Sequence, residues 1–266
     1  MKLKRIIRKI NNIMIAFGII PRQIIYSIIG LPRYLIDLWR FKKDKKKYIN
    51  EFPISSIYPC LTDRYLNSGI TKGHYFHQDL LVARRIYANN PKLHIDIGSR
   101  TDGFVAHVAS FRRISVIDIR PQVSNVVNIS FIQQDIMSTL KENVIHSCDS
   151  LSCLHALEHF GLGRYGDSIN YNGHIMGLDN LYQMLKKNGK LYFSVPIGLQ
   201  RIEFNAHRVF SVQYLLNQFE GRYNIDNFSF VDDNGDLHEN VLLLPSDIKD
   251  NFGCLFGCGI FEMTKL

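Results

Sequence analysis

Thirteen residues between His155 and Asp167 hold the densest run of reactive side chains in the sequence: His155, Glu158, His159, Arg164, Tyr165 and Asp167. Histidine titrates near neutral pH and can take a proton from a hydroxyl, while arginine can hold an anionic group through paired N–H donors. The segment FNAHRVF adds Asn205, His207 and Arg208. The candidate catalytic set is therefore His155, Glu158, His159, Arg164, His207 and Arg208, with His155 or His159 as base and Arg164 and Arg208 on the acceptor. His155-Ala-Leu-Glu158-His159 also spells H-x-x-E-H, a zinc-peptidase pattern that needs two histidines one helical turn apart and a distant third ligand. Here the pattern directly follows a strand, and no third ligand stands at a diagnostic spacing. A site without metal is expected, and a metal hydrolase is the lesser reading.

A second constellation lies in LHIDIGSRTDGFVAHVASFRRISVIDIR, residues 93–120. Strand, glycine turn, helix, strand and acid is the order of a nucleotide-binding half-sheet. A backbone without Cβ admits the ligand, the helix start offers free N–H groups, and a carboxylate about 20 residues on accepts the ribose hydroxyls. A dinucleotide site uses G-x-G-x-x-G to admit a pyrophosphate, whereas this turn reads G-S-R-T-D-G behind an acid. That acid, Asp96, repels a pyrophosphate and suits the ammonium of a methionine moiety, which favours S-adenosylmethionine (SAM) over NAD. The candidate cofactor residues are Asp96, Gly98, Ser99, Arg100, Asp102, Gly103, Asp118, Arg120 and Asp135. Among them Asp96 is expected on the ammonium, Asp118 on the ribose and Asp135 on the adenine.

These residues need a frame. The pattern predicts a strand from Leu93 to Ile97, a helix beginning near Gly103 and a strand from Ile114 to Ile119. A preceding helix is predicted from near Gln78 to the Asn-Asn-Pro stop. A third strand, VVNISFIQQD, ends on Asp135, and a fourth runs about Cys148 to Leu154. A helix from His174 to Lys187, an Asn-Gly turn and KLYFSVP follow, and the tail supplies two strands that read as an antiparallel edge pair. In such a sheet ligands bind outside the carboxyl ends of the strands, where both constellations fall.

Charge divides the chain. The net charge is +8, yet residues 1–47 alone carry thirteen Lys and Arg against two Asp, leaving the remainder at −3. Basicity confined to the N-terminus argues against a nucleic-acid groove across the folded domain. Arg22 and Arg33 divide its apolar stretches, and Pro21 and Pro32 are expected to break them, short of the roughly 18–20 residues of a span. Residues 1–47 thus read as two interfacial helices on an anionic membrane, 48–76 as linker and entry loop, and 77–266 as one α/β domain. Five cysteines, an odd number lying mostly in apolar runs, fit a reducing cytosol. The expected location is cytoplasmic and peripheral to a membrane.

HIDIGSRTDGF, VIDIRP, SLSCLHALEHFGLGRYGD and FNAHRVF, preceded by GHYFHQD, resemble the motifs of the family known as domain of unknown function 268, over roughly residues 55–240. That family is similar to class I SAM-dependent methyltransferases. The resemblance implies a Rossmann-like class I methyltransferase sheet, mostly parallel with an antiparallel C-terminal edge pair. Members are often encountered near surface-polysaccharide or glycan biosynthesis functions, which implies a glycan or sugar-nucleotide acceptor. Arg100 and Asp102 stand where the broader methyltransferase pattern has glycines. The leading expectation is an O-directed methyltransferase at the cytoplasmic membrane face, and the alternative is a non-catalytic scaffold in a glycan assembly complex.

Overall fold

A computed structural model describes residues 10–48, 52–123 and 125–266. The basic residues at positions 2, 4, 5, 8 and 9 lie outside the described residues. The chain divides into two compact units, Met1–Ile70 and Thr71–Leu266.

In the first unit, α1 (Ile10–Ala16) meets α2 (Pro21–Lys45) at a bend of 76°. Pro21 opens α2, where its missing N–H costs nothing. Pro32, expected to break the segment, lies inside the helix. Proline removes one bond from the ladder, and a helix of 25 residues keeps its turns on both sides. Ile24, Ile28, Leu31, Leu35 and Trp39 recur at helical spacing along one exposed stripe. Arg22, Arg33 and Arg40 fall on the opposite side. Among the described residues, no single helix is long and apolar enough to cross a membrane, although the bent pair together has the length and composition.

The second unit begins with α3 (His74–Asn89), β1 (His94–Ile97), α4 (Ala106–Ala109), β2 (Ile114–Asp118), β3 (Ile129–Gln133) and β4 (Cys148–Leu154). It continues with α5 (Gly173–Met184), β5 (Leu185–Ile197), β6 (Arg201–Glu203), β7 (His207–Val209), α6 (Val212–Phe219) and β8 (Tyr223–Val231). β9 (Leu237–His238), α7 (Pro245–Lys249) and β10 (Gly257–Lys265) complete it. The main sheet has the order β3-β2-β1-β4-β5-β10-β8-β9. The first five strands are parallel and the last three antiparallel, the Rossmann-like mixed sheet expected from the motifs. Apolar layers cover both faces: Ile260 packs with Ile86 and Val108, while its neighbour Phe261 packs with Phe193 and Phe219. The two-residue period of a strand sends neighbours to opposite faces.

Two local expectations change, and two segments find their place in the fold. α3 starts at His74 rather than Gln78, behind Gly73 at φ +93°, so the aromatic and histidine cluster rides on a helix. The helix after β1 opens as a wide turn over Thr101–Val105, kinked at Gly103, before α4. β10 and β8 form the expected antiparallel pair on that side of the sheet, β10 against β5, and the short β9 adds a last strand beyond β8. FNAHRVF forms part of the β6–β7 hairpin, turned through Asn205 at φ +63°.

Candidate active site

The carboxyl ends of β1, β2 and β3 open on a cleft of about 530 Å³ lined by Gly98, Asp118, Gln134, Asp135, His159 and Tyr165 among others. Gly98 sits at φ +71°, and a Cβ there would stand 3.0 Å from that of Ala156. The turn therefore needs glycine twice over, for its backbone and for the approach of the β4 loop. Asp118 is held in place by Arg120, which donates from its backbone N–H at 2.8 Å and its guanidinium at 2.6 and 3.1 Å. That guanidinium lies 4.4 Å from the centre of the Tyr165 ring, so one cation links Asp118 to Tyr165. Asp135 accepts the Met137 N–H at 2.8 Å through Oδ1. Beside it, Gln134 is buried with neither amide atom hydrogen-bonded.

A second cleft, about 450 Å³, is lined by Tyr75, Asp79, Ser99, Arg100, Asp102 and Gly103 among others. Gly98 lines the first cleft and Ser99 the second, so the glycine turn stands between them. Asp96 does not reach either. It is fully buried, and its carboxylate accepts Ser99 N–H at 3.0 Å, Ser99 Oγ at 2.8 Å and Ser152 Oγ at 2.5 Å. The expectation that Asp96 meets an ammonium is thus corrected: it ties the turn to β4, and burial raises its pKa to about 6. Beside the exposed Asp102, Asp79 from α3 is the buried acid that lines the second cleft. Burial likewise raises it to about 6, with the Gln78 amide pulling the other way. Gly103 fits against it, since a Cβ there would stand 3.0 Å from Asp79 Oδ2. Arg100 and Asp102 pair with each other at 2.7 Å in exposed positions.

Beyond β4 the candidate catalytic residues separate by role. His155 adopts φ +50°, a strained backbone for a non-glycine residue, and its Nδ1 meets Glu158 Oε1 at 2.6 Å. Both are buried. Burial opposes His155 protonation, yet the neighbouring Cys258 and Glu158 hold its pKa well above the ordinary value. Burial likewise opposes the Glu158 charge, and His155 nevertheless keeps that acid below its usual range. His159 donates from Nδ1 to the Ala206 carbonyl at 2.6 Å, and burial lowers its pKa. That tautomer leaves the Nε2 lone pair of His159 as an acceptor. The zinc-peptidase reading is corrected here: the motif forms a short 3-10 turn, Leu157–His159, rather than one helical face, and Glu158 is spent on His155.

Arg208 is also corrected. It is buried, and its guanidinium donates to the carbonyls of Phe160 at 2.5 Å and Tyr171 at 3.0 Å, which makes it a clamp on the β4–α5 loop instead of an acceptor ligand. Arg164 donates to the Ala206 carbonyl at 3.1 Å beside His159. His207 packs against Phe256 with ring centres 4.9 Å apart and planes tilted by 41°, and lies 3.6 Å from Glu203; burial lowers its pKa.

The model of the family described as "Caenorhabditis protein of unknown function, DUF268" matches residues 108–243, half of the chain, from α4 through the β6–β7 hairpin to beyond β9. The chain belongs to the DUF268 family. No curated protein matches this DUF268 chain. Among solved structures it is similar to the N-methyltransferase NodS from Bradyrhizobium japonicum WM9 in complex with S-adenosyl-L-homocysteine. That likeness has 14% identity, TM-score 0.47, and covers 73% of this chain and 88% of NodS. It is similar to the 1,6-didemethyltoxoflavin-N1-methyltransferase of Burkholderia thailandensis at 11% identity and TM-score 0.47, covering 71% and 78% of the two chains. It is also similar to the [4+2]-cyclase SpnF at 14% identity and TM-score 0.48, covering 81% and 85%.

Two site residues of this DUF268 chain escape the sequence. Gln134 stands beside Asp135 just past β3, and both line the first cleft. Tyr75 enters because α3 begins at His74, early enough to pass the glycine turn, whereas Asp79 belongs to the cluster of His74, His77 and Asp79 that the sequence already shows ahead of β1.

Proposed function

We propose that this protein is a SAM-dependent methyltransferase, O-directed, acting on a glycan or sugar-nucleotide acceptor at the cytoplasmic face of a membrane. The observation that carries the cofactor is the pair of buried, unpartnered amide atoms of Gln134 in a cleft also lined by Asp118 and Asp135. A buried amide left unpaired costs roughly 1–3 kcal/mol per group, which a bound adenine, carrying both a donor and acceptors, would relieve. Asp118 would hold the ribose, and the second cleft would take the methionine end, its ammonium against Asp79. When bound, SAM supplies an electrophilic methyl group. The acceptor class rests on the family resemblance, and membrane attachment on the charge partition.

The chain's own contribution is alignment and one proton. Methyl transfer needs little covalent help, so holding the acceptor oxygen in line should account for most of the rate. His159 is the base of choice, because its Nδ1–H is committed to Ala206 and burial favours its neutral ring, which leaves a lone pair on Nε2, 3.6 Å from Glu158, whereas the ion pair with Glu158 favours the protonated ring of His155. Since burial places the His159 pKa below 6.5, the imidazole is neutral at pH 7 and loses function only as pH falls through that lowered value. With a turning-over acceptor, the acid limb of the pH–rate profile is expected below pH 6.5 and should disappear in His159→Gln. An acid limb unchanged in that variant removes His159 as base.

Calorimetry with S-adenosylhomocysteine on the full chain tests the cofactor. Binding to wild type is expected, weakened by roughly 1–3 kcal/mol in Asp118→Ala and in Gln134→Ala, about 5- to 150-fold in Kd. No heat with wild type would sink the methyltransferase reading and favour a scaffold.

A further inference from the structure

Three side chains from distant elements converge at the His155 end of the first cleft: His74 at the start of α3, His155 after β4 and Cys258 on β10. One potential ligand atom of each, two ring nitrogens and the thiol sulfur, all lie within 4.8 Å of one another. The setting has features that ordinary packing does not require. His155 is fixed by Glu158 at Nδ1, while its Nε2 is sealed from solvent without a hydrogen-bond partner. Cys258 is fully buried, and two acceptors of its thiol, Gln78 Oε1 and the Gly259 carbonyl, are both at 3.9 Å, the loose limit for sulfur. The three groups face one another, and the protons that His155 and Cys258 keep in the metal-free protein are those a bound cation would displace.

We propose that His74, His155 and Cys258 bind a divalent transition metal of the zinc type, with Glu158 as the carboxylate that orients His155. Two imidazoles and a thiolate form a borderline-soft donor set that suits zinc and excludes magnesium or calcium, which take oxygen. A metal-bound histidine ordinarily donates its other N–H to a carboxylate or carbonyl, the relation in which Glu158 stands to His155. Zinc–nitrogen and zinc–sulfur bonds of about 2.0–2.3 Å put tetrahedral ligands about 3.4–3.6 Å apart, so the three atoms must close by roughly 1 Å. His74 can supply the movement, because it is only half-buried and occupies the first position of its helix. Its ring is near-parallel to that of His155, with centres 5.1 Å apart, and must turn to aim its nitrogen. Three protein ligands leave a fourth position for water or an oxygen ligand, as in zinc sites that do chemistry.

This set shares only His155 with the H-x-x-E-H reading. The expectation of a metal-free site considered that spacing alone, and His74 and Cys258 lie 81 residues before and 103 after His155.

Cobalt is the probe, because thiolate ligation gives it an intense near-ultraviolet charge-transfer band. Full-length protein stripped with a chelator and titrated with Co²⁺ is expected to develop that band at one metal per chain. Cys258→Ser should lose the band, His74→Ala should bind at least tenfold more weakly, and Glu158→Gln should weaken binding about 10- to 100-fold. Zinc added to the cobalt form should erase the band. His74→Ala changes a partly exposed helix end and is expected to keep the wild-type circular dichroism, so it reports on ligation apart from folding. Absence of the band in wild type overturns the proposal. So does a band that survives Cys258→Ser, including one that depends on the exposed Cys60, or cobalt affinity unchanged in a folded His74→Ala protein.

Discussion

Glu158→Ala should destabilise the protein by about 3–5 kcal/mol, measured by urea unfolding in the presence of a chelator, because it strips the partner from a buried imidazolium. His155 and Glu158 are both sealed in the interior, and their contact is 2.6 Å. Removing the carboxylate leaves the ring to lose its proton or stay charged without compensation, and either outcome costs free energy. Glu158→Gln keeps the shape and one acceptor, so a smaller loss is expected. The pH dependence follows from the two directions. Glu158, lowered by His155, contributes stability present above its unfolded pKa of about 4.5 and lost as pH falls through the lower folded value. His155, raised by Cys258 and Glu158, contributes stability fully present below about 6.5 and lost as pH rises through its higher folded value. The gap between wild type and Glu158→Ala should therefore be widest between those limits and shrink in strong acid. A gap below 1 kcal/mol at neutral pH would mean that the pair is not the buried ion pair described above.

The sheet was legible because strands buried on both faces announce themselves as short apolar runs, and β4 appears at the boundaries its sequence suggests. Asp118 and Gly98 were legible for the same reason: each terminates such a run. What the sequence could not show is direction. Asp96 stands one residue before the end of β1 and Asp118 ends the neighbouring β2, yet Asp96 turns inward to Ser99 and Ser152 while Asp118 remains at the cleft. The difference lies in Ser152 on β4, in register with Asp96, which is a pairing fact rather than a local one. Arg208 looked like an anion ligand until the hairpin carried it under the β4–α5 loop, where free carbonyls consumed its donors. His74 stands in a histidine cluster that the sequence shows and Cys258 in an apolar run, but their meeting gave no signal, because 184 residues separate them and only the sheet order brings them together.

Deleting residues 1–47 should abolish binding to anionic vesicles and leave Thr71–Leu266 folded, since that unit contains its own sheet and both apolar layers. The deleted segment holds thirteen Lys and Arg against two Asp, while the remaining residues carry a net −3, so the attraction to anionic lipid resides wholly in it. Each basic residue near such a surface is worth about 1 kcal/mol, and even half of them would hold the protein firmly. The apolar contribution is set by α2, whose exposed stripe from Ile24 through Ile28, Leu31 and Leu35 to Trp39 can enter the headgroup boundary while Arg22, Arg33 and Arg40 stay outside. Because both terms act, high salt is expected to release only part of the full-length protein and detergent all of it. Ile24→Glu combined with Leu35→Glu should convert binding into a purely salt-sensitive form, as the stripe is lost and the charges mostly remain. Protease added from the far side of the bilayer separates an interfacial helix pair from a bent span. Cleavage within the first residues would show that Ile10–Ala16 and Pro21–Lys45 cross together, and full solubility of the intact chain beside anionic vesicles would remove the membrane from the account.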